Sequence, residues 1–302
     1  MFEGMQMDAT TEAFLQSWEW RWDVILVLLT CVSIYVTGWV RLRRMGAKIA
    51  NGWRLASYLA GMGFIALALL SGIGTFESLL FFIHMIQHIL MMMYAAPLIM
   101  LAAPMPIGMW GLPRPIRLQL AKFLNQKSPL RQLIVTITKP GIIWMFYTLN
   151  LWMWHDSEMY ERATTHSTIH NIQHLLFFGT ALAIWWHTTD AAPKFHKHRT
   201  YGKRMMFAAA TYFQNLLLGI YITMSPELIY TYYATVPRMW GIEAHRDQVI
   251  GGLIMWIPGG MMYGYTILIL ISRLMDYSEK QAQIKAKRAK IQRQQAKGIA
   301  AP

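Results

Sequence analysis

The sequence predicts an all-α, polytopic membrane protein, a seven-transmembrane-helix bundle with its N-terminus outside and its C-terminus inside. Three observations carry that prediction. Of the 302 residues, 55% are hydrophobic and only 14% charged, against about 25% charged in an ordinary soluble domain. Seven stretches are apolar enough to enter a bilayer. The basic residues between them fall almost entirely on one side. A mean hydropathy of +0.29 leaves no soluble core large enough to hide the apolar surface. The same composition excludes disorder, and the single Cys31 excludes a disulfide scaffold.

Met1 to Asp23 is acidic, with Arg21 its only base. That is unlike the basic start of a secretory signal, and 1–23 is read as an outer N-terminal segment. The membrane domain, 24–272, holds the stretches Val24–Val40, Leu55–Gly74, Leu79–Ala103, Gly141–Trp154, Ile169–Trp186, Met205–Met224 and Val249–Ser272. A helix crossing a hydrocarbon layer of ~30 Å needs about 20 largely apolar residues. The fourth stretch is shorter than that, although Lys139-Pro140 ahead of it suits a helix start.

Charge decides the count. With seven spans and the N-terminus outside, 24 of the 28 bases face inward, leaving Arg21, Arg162, Arg238 and Arg246 outside. Without the fourth span, the loop Lys194–Arg204 and the C-terminal tail would swap sides and the asymmetry would vanish. The positive-inside rule therefore supports seven spans. Twelve of the 15 acids fall outside, forming a rim that attracts cations.

Two segments lie apart from the spans. The loop 104–139 opens with Pro104, Pro106, Pro113 and Pro115, followed by Ile116–Leu124, read as a cytoplasmic interfacial helix. The tail, 273–302, is rich in Lys, Arg, Gln and Ala and is read as a solvated or lipid-touching helix that frays. The net charge of +13 thus points to the bilayer as partner, with no nucleic acid expected.

The histidines carry the functional reading. His84 and His88 stand four apart in the third span, and His166, His170 and His174 recur at the same interval in the fifth. Residues at i and i+4 share a helical face, so two such pairs could bring four imidazoles to one metal ion at 2.0–2.1 Å. Both spans enter from outside, which places His84 and His88 about 8 and 14 Å below the start of theirs. His155 ends the fourth span at the same face, and His245 opens the seventh with Asp247 and Gln248. Ionisable groups within a membrane are costly, and function or pairing retains them. The predicted metal site is therefore His84, His88, His170, His174, His166, His155 and Asp247, with Met85, Met92, His245 and Gln248 as a relay. His187, His196 and His198 sit among lysines and are read as interface or loop residues. Thioether sulfur beside imidazole suits Cu(I), with zinc, iron and haem left open. The tryptophans at span ends fit an interfacial belt, and Gly251-Gly252 and Gly259-Gly260 fit close helix approach.

The chain resembles the bacterial CtaG-type membrane assembly factors of caa-type cytochrome c oxidases. The residues that carry the resemblance are His84-Met-Ile-Gln87-His88, Ala96-Pro97, Ala103-Pro104, Trp154-His155, His166, His170, His174, Asp247-Gln248, Gly251-Gly252 and Trp256-Ile-Pro258-Gly259. They run in this order from about Trp20 to Arg273. The resemblance implies a non-enzymatic role in the bacterial plasma membrane, handling or delivering copper at its outer face to copper-containing cytochrome c oxidase subunits. Gln173 occupies a position where the resembling proteins often carry Glu, so either the ion is held less tightly or Asp247 supplies the negative charge.

Two other classes compete. A membrane cytochrome would hold haem between one His of the third span and one of the fifth, but needs a single axial His per helix. A His-rich di-iron membrane oxidoreductase would generally show adjacent His-His pairs facing the cytoplasm, and the sequence has none. Self-association is compatible with all three.

Overall fold

The computed structural model describes residues 8–196 and 199–296. Expectations for Glu3, Lys197, His198 and Lys297 lie outside the described residues, as do the extreme ends of the outer segment and the tail. Every regular element among the described residues is helical. A long helix overlies each predicted stretch: α1 (Trp22–Arg44), α2 (Gly52–Leu70), α3 (Phe81–Leu101), α4 (Pro140–Trp154), α5 (Ser167–Thr189), α6 (Tyr201–Met224) and α7 (Ala244–Ala296).

Five of these are long and apolar enough to cross a membrane: α1, α2 with its extension to Phe76, α3, α6 and α7. The other two fall short for opposite reasons. α4 has 15 residues, about 22 Å at 1.5 Å per residue, which is less than the hydrocarbon thickness. α5 has 23 residues, but His170, Asn171, Gln173, His174 and His187 dilute its apolarity. Large apolar side chains such as Leu26, Val27 and Leu29 on α1 and Leu268 and Ile269 on α7 are exposed, as expected of a surface turned to lipid.

α3 is the most enclosed of the five spanning helices and forms the axis of the bundle. It changes pitch part-way, running as α-helix over Phe81–Ile89, as π-helix over Leu90–Ala95, and as α-helix again over Ala96–Leu101. The wider turn releases the Met92 carbonyl to accept from Trp185 Nε1 of α5 at 2.8 Å. Small residues let neighbours close on this axis. A Cβ on Gly251 would collide with the Phe81 ring, and one on Gly252 with Thr223 Oγ1, so α7 packs against both α3 and α6. On the other side, the α1 residue Tyr35 stacks on Tyr58 at 3.7 Å and donates to Ala102 O at 2.9 Å.

One expectation changes here. The loop 104–139 contains three short helices, Pro104–Gly111, Arg114–Phe123 and Pro129–Ile137, in place of one. Prolines open each of them, fixing φ where a backbone donor has no helical partner. The helix predicted over Ile116–Leu124 is Arg114–Phe123 and buries none of its residues. The tail is helical, as the sequence suggests: α7, 53 residues in all, runs unbroken through 272/273. Pro258 within α7 does not end the helix.

Candidate metal centre

The imidazoles at i and i+4 on α3 and α5 converge between the two helices. His84 Nε2 lies 2.7 Å from His88 Nε2. Ring centres are 4.5 Å apart for His84–His88, 5.1 Å for His84–His170 and for His88–His174, and 4.1 Å for His170–His174. His84 is fully buried, and His88 and His174 nearly so. Ligand atoms of His84, His88 and His174 all lie within 4.8 Å of one another. Nitrogens sharing one ion at 2.0–2.1 Å stand roughly 3.3 Å apart at a tetrahedral angle, so modest ring rotations would seat one.

A carboxylate absent from the predicted set completes the group. Glu77, in the turn between α2 and α3, places Oε2 3.0 Å from His84 Nδ1 and Oε1 3.6 Å from His170 Nδ1. The first contact lies off the line ideal for a hydrogen bond. Glu77, His84 and His170 form a second set of ligand atoms within 4.8 Å. Burial opposes ionisation of Glu77, but the close contact with His84, with His170 and Arg21 nearby, outweighs it and holds the carboxyl below its ordinary range. A carboxylate on one ring nitrogen fixes the tautomer and leaves the other free as a ligand.

Buried polar atoms in proteins are almost always satisfied, and exceptions call for an explanation such as an ion. Here His88 Nδ1, His170 Nε2 and His174 Nε2 are all buried without a partner. A cluster of neutral lone pairs next to one carboxylate is what a transition-metal cation requires.

Sequence comparison agrees with this architecture. The family model for the cytochrome c oxidase caa3 assembly factor, Caa3_CtaG, matches residues 33–276. The chain belongs to the Caa3_CtaG family. It is also similar to an uncharacterized protein of Mycobacterium leprae, 25% identical over 262 residues that cover 78% of this chain and 36% of that protein. Uncharacterized proteins of Mycobacterium bovis and Mycobacterium tuberculosis are each 22% identical over 257 residues, with the same coverage. The chain thus spans about a third of the length of the curated relatives it matches. No solved structure matches it.

The remaining predicted residues of this Caa3_CtaG protein fall elsewhere. Asp247 lies at the start of α3, where both its oxygens accept from backbone amides. Oδ2 accepts from Phe81 N at 3.0 Å and Oδ1 from Phe82 N at 2.9 Å, with Arg238 3.7 Å away. Leu80 precedes α3 and offers no side-chain cap, so an acid from α7 satisfies the orphan amides. Gln248 likewise serves backbone, accepting from Ile229 N at 2.7 Å and donating to Glu227 O at 3.2 Å. His245 is exposed against Ser225 O at 3.0 Å. His166 is exposed at the start of α5, its Nδ1 2.9 Å from Thr165 Oγ1. His155 is buried beside Phe177 and shares a cavity wall with His88. Met85 and Met92 are buried in the core and line a separate cavity.

Proposed function

We propose that this Caa3_CtaG protein receives copper at the outer face of the bacterial plasma membrane and passes it, without turnover chemistry, to copper-containing cytochrome c oxidase subunits. The observation that carries the reading is the set of buried, unpartnered nitrogens on His88, His170 and His174, packed against His84 and its carboxylate Glu77. Copper here is cargo. His166 would meet the ion at the mouth, one helical turn before His170, and His84, His88, His170 and His174 would hold it. Glu77 keeps the His84 ring oriented and offsets the incoming charge. Neutral imidazoles hold Cu(I) without a rigid cage, so a partner can remove it by ligand exchange.

Seven spans with N-out, C-in orientation are part of the same proposal. Their support is the inward bias of the bases and the long helices over all seven stretches. The three parts remain an outer segment 1–23, a membrane domain 24–272 and a basic inner tail 273–302, with the tail continuing α7 as helix. Lys194–Arg204 should then resist protease added to intact cells, and cleavage there would overturn the topology.

The haem alternative asks for a macrocycle between two axial rings, whereas these four rings touch one another. Metal analysis with an optical spectrum of the purified protein tests both. Copper without a Soret band supports the proposal, and a Soret band in stoichiometric amount would replace it with a cytochrome.

A further inference from the structure

Helix α3 has a second chemically distinct face. Residues 85, 88, 92 and 93 recur at intervals of three, seven and eight from the first, a stripe beside the one defined by 84 and 88. Met85, Met92 and Met93 from this stripe line a cavity of about 30 Å³ together with Met255 of α7 and His155 at the end of α4. His88 lines it as well. All six are at most 6% exposed. The π turn at Leu90–Ala95 sits on this stretch, with Ala96 N reaching back five residues to Met91 O. Such turns are frequent at functional sites.

Methionine alone would be ordinary core filling. The two histidines make this cavity different. His155 Nδ1 lies 2.8 Å from Leu151 O, a partner that can only accept, so Nδ1 carries the proton and Nε2 holds a bare lone pair. That Nε2 is buried and has no partner. His88 Nε2 is turned to His84, and its Nδ1 is buried and unpartnered too. The cavity wall therefore offers up to four thioethers and the His155 nitrogen, with His88 Nδ1 shared between this cavity and the histidine cluster, and no carboxylate. Neutral, soft donors in an apolar enclosure suit a soft monovalent cation and are a poor match for Zn²⁺ or Ca²⁺.

We propose that this cavity is a second ion site, a thioether–imidazole station for Cu(I), linked to the histidine cluster through His88. It rests on the reading of the cluster as a copper site and adds a path. An ion on the cluster exchanges the imidazoles of α5 for the sulfurs of Met85, Met92, Met93 and Met255, with His155 as the nitrogen ligand on the far side. No bond other than metal–ligand bonds changes, and the oxidation state stays at +1.

The test uses the full chain in detergent, titrated anaerobically with Cu(I) against a competing chelator, with X-ray absorption at the copper edge. The wild-type protein should bind two ions, one with sulfur scattering. Met92→Leu/Met255→Leu, nearly equal in volume and tolerated by most cores, should lose the sulfur signal and one equivalent while keeping the other. His170→Ala should do the reverse. A wild-type spectrum showing nitrogen ligands alone would overturn the proposal without recourse to any variant. Should Met92→Leu/Met255→Leu leave both equivalents in place, the cavity holds only water and the cluster reading stands alone. Loss of the sulfur-bound ion with His170→Ala silent would retain this site and discard the cluster.

Discussion

Two groups of histidines lie at opposite ends of α5, and comparing them shows what separates a candidate metal site from a packing device. At the start of the helix, His170 and His174 face His84 and His88. Near its end, His187 faces His196 with ring centres 5.2 Å apart, within 0.1 Å of the His84–His170 and His88–His174 pairs at 5.1 Å. Proximity therefore decides nothing. The nitrogens do. His187 Nε2 bonds to Thr138 O at 2.8 Å, and His196 Nε2 to Thr138 Oγ1 at 3.1 Å. One threonine after Pro129–Ile137 thus uses both rings to fasten that short helix to α5. Burial is the main cause holding His196 below the ordinary histidine range, so the ring is neutral at pH 7. In the first group, three buried nitrogens have no such partner. The second group is satisfied by the protein itself, whereas the first is built with its lone pairs left over.

The largest effect should come from removing that surplus. His84→Ala/His170→Ala should abolish copper at the cluster and lower oxidase activity in cells that still make the oxidase subunits, while His187→Ala should leave copper content unchanged. Equal copper loss from both ends of α5 would erase the distinction between them. Next comes Glu77→Gln, which keeps the shape of the side chain and removes its charge. Partners of this kind change metal affinity by 10–100-fold. A competition assay should show weakening in that range with folding retained, and an unchanged affinity would make Glu77 a bystander.

How much of this was legible in sequence follows from where each signal resides. The four converging histidines were readable because i, i+4 spacing is local and survives any tertiary arrangement. The all-helical fold is readable from apolar run length, and α4 from charge asymmetry despite its shortness. Glu77 was missed because it sits in a turn, and only packing of that turn over α3 and α5 brings it to the rings. One signal did exist: it precedes His84 by seven residues, one heptad back on the same helical face had α3 started earlier. The contacts of Asp247 with the start of α3 are hidden in the sequence for a complementary reason. An acid at the head of α7 looks like an outer charge, and its use on α3 is invisible unless one asks how the amides after Leu79-Leu80 are satisfied. The three helices in 104–139 depend on local hydrogen bonding that composition does not report.

A smaller effect separates capping from ligation. Asp247→Asn removes the charge that faces two amides of α3 and leaves Arg238 without its counter-ion. Lost caps typically cost about 1–2 kcal/mol, so the thermal midpoint in detergent should fall while copper affinity at the cluster changes little. A large loss of affinity at unaltered stability would return Asp247 to the ligand set.

The smallest expected effect probes the fastening end of α5. His196→Ala deletes one ring contact, to Thr138 Oγ1, at a partly exposed position, and His187 still holds the Thr138 carbonyl. A single neutral hydrogen bond contributes about 0.5–1.5 kcal/mol, and solvent can replace this one, so the loss should fall at the low end and copper content should not move. Amide exchange over Pro129–Ile137 reads the change locally: faster exchange confined to that helix marks a fastening role. If copper content fell with it, the two ends of α5 would share one function and the division drawn from their nitrogens would fail.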